Sequence, residues 1–213
     1  MPSVSDTKIL LSFGAVQGGF EFSMQLRLDI YKKFGRSFDA DPYFCYLDAE
    51  SLRTNKNTVY TYKPNTDMNV MSNSEWAENY KSAMKSCKSM ILLITKQWLT
   101  SKWCWAELDM LVTMAETSNK KIIVVYWPDA ASLMQQGTSW AERQEGGANR
   151  TPKDLFDRIE KIGSNKFVTV SSGKVESVQT PIEGALPGGH VNIFAYSCTE
   201  QECNHIMSMI AIS

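Results

Sequence analysis

The sequence has little histidine, no excess of one charge and no long apolar run. Its two histidines and five cysteines do not show the paired spacing of a zinc site, so we expect no metal. Lysine and arginine number 22 against 23 aspartates and glutamates, and the net charge of −1 provides no field that would attract nucleic acid. No apolar run approaches the roughly 20 residues that cross a bilayer, and the N-terminus lacks the basic and apolar regions of a signal peptide. We therefore expect a cytoplasmic protein with reduced thiols and no nucleic-acid or membrane partner.

The size and composition of the chain are typical of one packed domain. It has 213 residues, of which 43% are hydrophobic and 21% are charged. We predict a single domain over residues 1–213. Its core lies within 7–128, and 129–213 adds a fifth strand, an insertion and a closing C-terminal helix.

Short β-type runs recur along the chain with helical stretches between them. The five predicted strands are Ile9–Phe13, Tyr43–Leu47, Met90–Thr95, Ile122–Trp127 and Phe167–Val170. Strands that alternate with helices indicate a parallel sheet. The third and fourth runs are almost wholly apolar, as expected for central strands that helices cover on both faces. The sequence therefore predicts an α/β fold built on a doubly wound parallel sheet.

Apolar residues at helical spacing, capping signals and a first-turn proline predict most of the helices. The segments that show them are Ser74–Lys88, Ser101–Thr117, Pro152–Ile162 and a C-terminal helix that begins at a box formed by Thr199 and Glu202. Gly19–Phe34 fits both the period of a strand and an i, i+4 ladder. We favour a helix there, because its polar residues are weak strand formers and Gly35 follows as a C-cap.

Three polar segments are interpreted as additions to this framework. Ala49–Asn73 and Ser171–Ser197 are interpreted as insertions, and the second contains one further candidate strand, Val191–Tyr196. Asp129–Thr151 is interpreted as a surface connection.

Three stretches of the sequence match the pattern of a known α/β family. KILLSFG at 8–14 is like that family's opening strand, and YFCYLDAESL at 43–52 is like its second strand with a terminal aspartate. The most specific stretch, 82–108, contains the third strand and an S-x-W-C-x-x-E-L helix start. Together they resemble the TIR (Toll/interleukin receptor) domain family over 8–127, with a departure at Asn55, where that family usually has glycine. The resemblance implies a flavodoxin-like, five-stranded TIR fold with insertions.

The resemblance also implies a chemistry. TIR domains divide into scaffolds that only assemble and enzymes that cleave NAD at its nicotinamide–ribose bond. The enzymes carry a glutamate one helical turn after a tryptophan, and Trp103 and Glu107 have this spacing. Glu107 is therefore the candidate catalytic residue, because a carboxylate can stabilise a cation-like ribose carbon. The alternatives are that Glu107 is a solvated first-turn acid favoured by the helix dipole, and that Trp103 is a core residue rather than a ring against the nicotinamide ribose.

The ends of the first two strands supply the other candidate substrate-binding residues. Ser12, Phe13 and Gly14 lie where the first strand delivers its loop, and a glycine there lets the backbone approach a ligand closely. Asp48 ends the second strand and is either a ribose contact or a turn former. Cys104 is interpreted as a core residue rather than a nucleophile, since it lies on an apolar stripe and no histidine is linked to it by a motif.

We predict from these features a stand-alone TIR-domain NAD nucleosidase and ADP-ribose cyclase, similar to prokaryotic immune TIR proteins. NAD is then the substrate, no cofactor is required, and the product is a cyclic ADP-ribose signal in antiviral defence, or NAD is simply depleted. The resemblance further implies a homo-oligomer formed through TIR contacts and a separate effector that binds the product. The alternatives are a non-catalytic TIR scaffold and a nucleoside deoxyribosyltransferase-like enzyme, which shares the fold type and a catalytic glutamate.

Overall fold

The computed structural model describes residues 3–14, 19–47, 73–100, 102–115, 120–130, 157, 167–171, 174–181 and 190–213. Five parallel strands form its main sheet: β1 (Ile9–Phe13), β2 (Cys45–Leu47), β3 (Ser89–Ile94), β4 (Lys121–Tyr126) and β5 (Phe167–Ser171). Their order across the sheet is β2-β1-β3-β4-β5. This order confirms the predicted doubly wound parallel sheet, with each strand within two residues of its predicted bounds.

The described helices of five residues or more are α1 (Gly19–Lys33), α2 (Asn73–Ser86), α3 (Lys96–Thr100), α4 (Lys102–Ala115) and α5 (Glu200–Met209). The ambiguous segment after β1 is a helix, as favoured, because Phe22, Leu26 and Ile30 form its buried stripe. Gly35 follows it at φ 60°, the left-handed conformation that glycine adopts without a steric cost. None of the described helices is long and apolar enough to span a membrane.

Helices cover both faces of the sheet, and the alternation of residues along β1 shows how the two cores are divided. Leu10 faces a core that contains apolar residues of α2, α3 and α4. Ile9, Leu11 and Phe13 face the opposite core, which contains apolar residues of α1 and α5. Ser12 therefore points to the α2 and α4 side, since successive side chains of a strand alternate.

Two further strands form an antiparallel pair, β6 (Lys174–Pro181) and β7 (His190–Ser197). The candidate strand Val191–Tyr196 is thus confirmed and is two residues longer. Strand β6 was not predicted, because its two valines, Val175 and Val178, are three residues apart and do not alternate with period two. It is recognised only through its pairing with β7.

The β6–β7 pair is attached to the main sheet at the end of β4. The Trp127 indole Nε1 donates to the Ser197 carbonyl at 3.1 Å. The Tyr196 hydroxyl donates to the Asp129 carboxylate at 2.8 Å, and the Tyr196 ring packs edge-on against that of Trp127. This segment was interpreted as a plain insertion, but its second strand packs with the core.

Three predictions fall largely on other parts of the chain, and one of them is the surface connection Asp129–Thr151, which lies outside the described residues except for 129 and 130. The loop after β2 and most of the predicted helix Pro152–Ile162 lie outside the described residues.

Candidate active site

Ser12 lies near the carboxyl end of β1, the end at which open parallel sheets bind ligands. Its side chain is 1% exposed and faces the core shared by α2 and α4. The hydroxyl accepts a hydrogen bond from the Trp98 indole Nε1 at 2.9 Å and donates one to Oε2 of Glu107. Ser12 therefore connects an indole to a carboxylate at the edge of the sheet.

Glu107 lies on the buried face of α4. The helix begins at Lys102, so Glu107 is its sixth residue, and the apolar stripe of Cys104, Leu108 and Leu111 turns that face toward the sheet. Only 7% of Glu107 is exposed. The alternative of a solvated first-turn acid is therefore wrong, and the carboxylate belongs to the protein interior.

Tyr80 supplies a second donor to the same carboxylate oxygen. It lies on α2 with no exposed surface, and its hydroxyl donates to Glu107 Oε2 at 2.9 Å. Burial raises the pKa of Tyr80 well above its ordinary value of 10.0, and the adjacent Glu107 carboxylate raises it further. The phenol therefore keeps its proton at neutral pH and donates to Glu107.

Tyr80 and Trp98 were not predicted as site residues. Tyr80 was assigned only to the apolar stripe of its helix, and Trp98 only to the stretch that resembles the family. Trp98 is fully buried on α3, where its backbone N–H donates to Thr95 Oγ1 at 3.1 Å. No local sequence pattern marks either ring as a hydrogen-bond partner, because both contacts cross between elements.

Phe13 and Gly14 lie at the carboxyl end of β1, as their sequence positions predicted. The Phe13 ring belongs to the core on the opposite face of the sheet, and its backbone carbonyl accepts from the Cys104 thiol at 3.5 Å. Gly14 approaches the start of α1 so closely that a Cβ at Gly19 would stand 2.4 Å from the Gly14 carbonyl oxygen. Glycine at position 19 permits this close approach.

Trp103, Asp48 and Cys104 complete the list of candidates. Trp103 lies at the start of α4 one turn before Glu107, as predicted, and its side chain is outside the described part of the structure, as is all of Asp48. Cys104 is 2% exposed and donates to a backbone carbonyl, which confirms its interpretation as a core residue.

Asp129 organises the neighbouring end of the sheet, and sequence reasoning missed it. Its Oδ2 accepts from the Lys96 backbone N–H, at the start of α3, at 3.1 Å, and also from the Tyr196 hydroxyl. The helix that carries Trp98 is thereby connected to the end of β4 and to β7. Among the described residues, no group of three or more His, Cys, Asp or Glu side chains could hold a metal ion.

The site thus presents a buried glutamate held by hydroxyl donors at the carboxyl edge of a doubly wound parallel sheet. The model of the TIR domain family matches residues 48–161, a range that contains Trp103 and Glu107. The chain belongs to the TIR domain family. A relative of known activity is 38% identical over 117 residues: the 3′ cyclic ADP-D-ribose synthase HopAM1 of Pseudomonas syringae pv. tomato (strain ATCC BAA-871 / DC3000).

The two matches cover similar fractions of the chain. The match with HopAM1 covers 54% of this chain and 41% of the relative, so this chain accounts for less than half of the relative's length. The match with the family model begins directly after β2 and leaves out β1, the strand that carries Ser12.

Proposed function

We propose that this chain cleaves NAD at the bond between nicotinamide and ribose and that Glu107 is its catalytic residue. The observation that carries the proposal is the Glu107 carboxylate, which is buried and yet accepts hydrogen bonds from Ser12 and Tyr80. Membership of the TIR family and the similarity to a cyclic ADP-ribose synthase support the same reaction.

The chemistry requires little more than a well-placed negative charge. When the ribose C1′–nitrogen bond breaks, both electrons leave with nicotinamide, which departs as a neutral molecule and needs no prior protonation. Positive charge develops on the ribose carbon and its ring oxygen, and a carboxylate in a site of low dielectric stabilises it strongly. The hydroxyls of Ser12 and Tyr80 both donate to Oε2 of Glu107, the carboxylate that would carry this charge.

The product depends on which nucleophile attacks the ribose carbon. Water gives linear ADP-ribose, whereas a hydroxyl of the same molecule gives a cyclic isomer, and either nucleophile loses one proton. The name of the relative favours the cyclic outcome, which we propose for this chain. Ser12, Phe13, Gly14, Asp48 and Trp103 are proposed to contact the substrate, and no cofactor takes part.

The biological setting is part of the same proposal. A cyclic ADP-ribose product would act as an immune signal read by a separate effector, whereas linear cleavage would deplete NAD. Homo-oligomers formed through TIR contacts are the proposed active form.

The test is nicotinamide release by the wild-type protein and by Glu107→Gln. The substitution keeps the size of the side chain and removes its charge, and loss of such a group typically lowers the rate by on the order of 10² to 10³. Liquid chromatography with mass spectrometry follows nicotinamide and separates linear from cyclic ADP-ribose. Glu78→Gln, at an exposed glutamate on α2, is the matched control and should keep the wild-type rate.

Each rival function has its own signature in this experiment. A purified wild-type protein that releases no nicotinamide at any concentration would be a scaffold rather than an enzyme. Exchange of bases between deoxynucleosides, without NAD cleavage, would identify a deoxyribosyltransferase. Wild-type turnover by Glu107→Gln would remove Glu107 from the catalytic role.

A further inference from the structure

The contact between Tyr80 and Glu107 joins two helices that are distant in sequence. The residues are 27 positions apart, on α2 and α4, and the phenol oxygen lies 2.9 Å from Oε2. The Tyr80 ring packs edge-on against that of Tyr46 on β2, with 6.5 Å between centroids. Neighbouring packing thus holds the ring while its hydroxyl reaches the carboxylate.

Packing alone would not select a tyrosine at position 80. The side chain is fully buried, and a phenylalanine would fill nearly the same volume without burying a hydroxyl. A buried hydroxyl costs free energy unless it has a partner, and a buried carboxylate costs more. The hydrogen bond gives the buried Tyr80 hydroxyl a partner and gives the buried Glu107 carboxylate a donor.

Two hydroxyls that donate to Glu107 come from different elements and together orient its carboxylate. Tyr80 approaches from α2 and Ser12 from β1, and both donate to the same oxygen, Oε2. Anchoring one oxygen from two elements restricts rotation of the carboxylate about its terminal bond. The plane of the carboxylate is then set by the fold before any ligand arrives.

We propose that Tyr80 is a positioning residue that orients the Glu107 carboxylate for the reaction at the ribose carbon. The inference rests on the proposed NAD cleavage. Tyr80 itself does not touch substrate in this role; it acts through Glu107. Its pKa, which burial raises, keeps the hydroxyl protonated so that it serves as a permanent donor at neutral pH.

The experiment compares Tyr80→Phe with a matched control, Tyr31→Phe. Tyr31 is 3% exposed and its hydroxyl donates to the Asp41 carbonyl at 2.8 Å, but it lies in the core on the other face of the sheet. Tyr31→Phe removes a buried phenol hydroxyl that also accepts from the Cys45 N–H at 3.4 Å, and Tyr80→Phe removes the buried phenol hydroxyl that donates to Glu107. Tyr80→Phe should lower kcat roughly 10- to 100-fold, the factor for a hydrogen bond to a charged group, with KM within about twofold of wild type. Tyr31→Phe should keep the wild-type kcat.

A second measurement does not depend on activity. In protein labelled with ¹³C at the glutamate side-chain carboxyl, the Glu107 resonance is assigned by its loss in Glu107→Gln. Its chemical shift should change in Tyr80→Phe and should not change in Tyr31→Phe. If Tyr80→Phe does not fold, 3-fluorotyrosine at position 80 keeps the hydroxyl and makes it a stronger donor, and the Glu107 resonance should still move.

The outcomes separate the two proposals. A wild-type kcat in Tyr80→Phe, or an unchanged Glu107 resonance, overturns the positioning role. Equal losses of kcat in Tyr80→Phe and Tyr31→Phe would show a general effect of destabilisation and overturn it as well. If the wild-type protein releases no nicotinamide, the proposed function fails, and the carboxyl resonance alone decides whether Tyr80 orients Glu107.

Discussion

The Ser12 hydroxyl forms hydrogen bonds with Trp98 and with Glu107, and its role can be separated from simple packing. It accepts from Trp98 Nε1 and donates to Glu107 Oε2, so its removal leaves a buried indole N–H without that acceptor and the carboxylate without one donor. The expected consequences are a loss of stability and a loss of carboxylate orientation, which are measured separately.

We expect Ser12→Ala to lower the free energy of unfolding by about 1 to 3 kcal/mol, the cost of leaving a buried polar group unpaired. We also expect kcat to fall, because a hydroxyl donor to Glu107 is lost. Urea unfolding measures the first effect and steady-state nicotinamide release the second.

Ser89→Ala provides the control for Ser12→Ala. Ser89 is also fully buried, and its hydroxyl donates to the Ala211 carbonyl and accepts from the Ala211 N–H, each at 2.8 Å. It begins β3, at the opposite end of the sheet from the site. A comparable loss of stability with unchanged kcat is expected there, and a fall in kcat equal to that of Ser12→Ala would contradict a specific role for Ser12.

At the scale of elements, α5 shows how a local signal and a tertiary contact combine. Thr199 Oγ1 accepts from the Glu202 N–H at 3.2 Å, and Glu202 Oε2 accepts from the Thr199 N–H at 2.7 Å, which confirms the capping box read from the sequence. The helix then buries Ile206, Met207 and Met209 against the α1 side of the sheet. The cap fixes where the helix begins, and these three residues hold it on the sheet.

Thr199→Ala should lower the free energy of unfolding by about 0.5 to 2 kcal/mol, because the N-cap acceptor is lost. Thr199→Ser keeps an acceptor and should stay close to wild type. Thermal melting compares the two variants, and nicotinamide release should be unchanged in both since the cap is remote from Glu107. Equal melting temperatures for the alanine and serine variants would show that the box contributes nothing to stability.

At the scale of the whole molecule, several cysteine thiols and tyrosine hydroxyls are buried in the protonated form. Burial raises the pKa of Cys45 from 9.0 to about 12, that of Cys87 from 9.0 to about 11 and that of Tyr31 from 10.0 to about 12. A group with a raised pKa contributes stability that is fully present below its unfolded value and is lost as pH rises through its folded value. The contribution of Lys120 to stability changes with pH in the opposite direction, since burial lowers its pKa.

The free energy of unfolding should therefore decline as pH rises above about 9, by up to about 1.4 kcal/mol per pH unit for each such group. Urea unfolding between neutral pH and pH about 11 measures the slope. Cys87→Ala removes one of these groups and should reduce the slope, whatever it does to stability at neutral pH. A free energy of unfolding that stays constant up to pH about 11 would contradict this account.

The sequence alone determined the five strands of the main sheet and the helices α1, α2, α4 and α5, because local chemistry specifies each of them; α3 was not predicted. Apolar runs define β3 and β4, a stripe at helical spacing defines α4, and an i, i+4 spacing places Trp103 and Glu107 on one side of that helix. Strand β6 escaped prediction because its partner, and not its own pattern, makes it a strand.

Only the tertiary structure decided what surrounds Glu107. Its bond with Ser12 spans 95 positions, its bond with Tyr80 spans 27, and the bond from Trp98 to Ser12 spans 86. Periodicity tells which face of an element is buried, but it does not tell which side chains of other elements meet that face. The sheet order brings β1 beside β3, and α2 and α4 pack on the same face, so a serine, a tyrosine and a glutamate meet in one buried cluster.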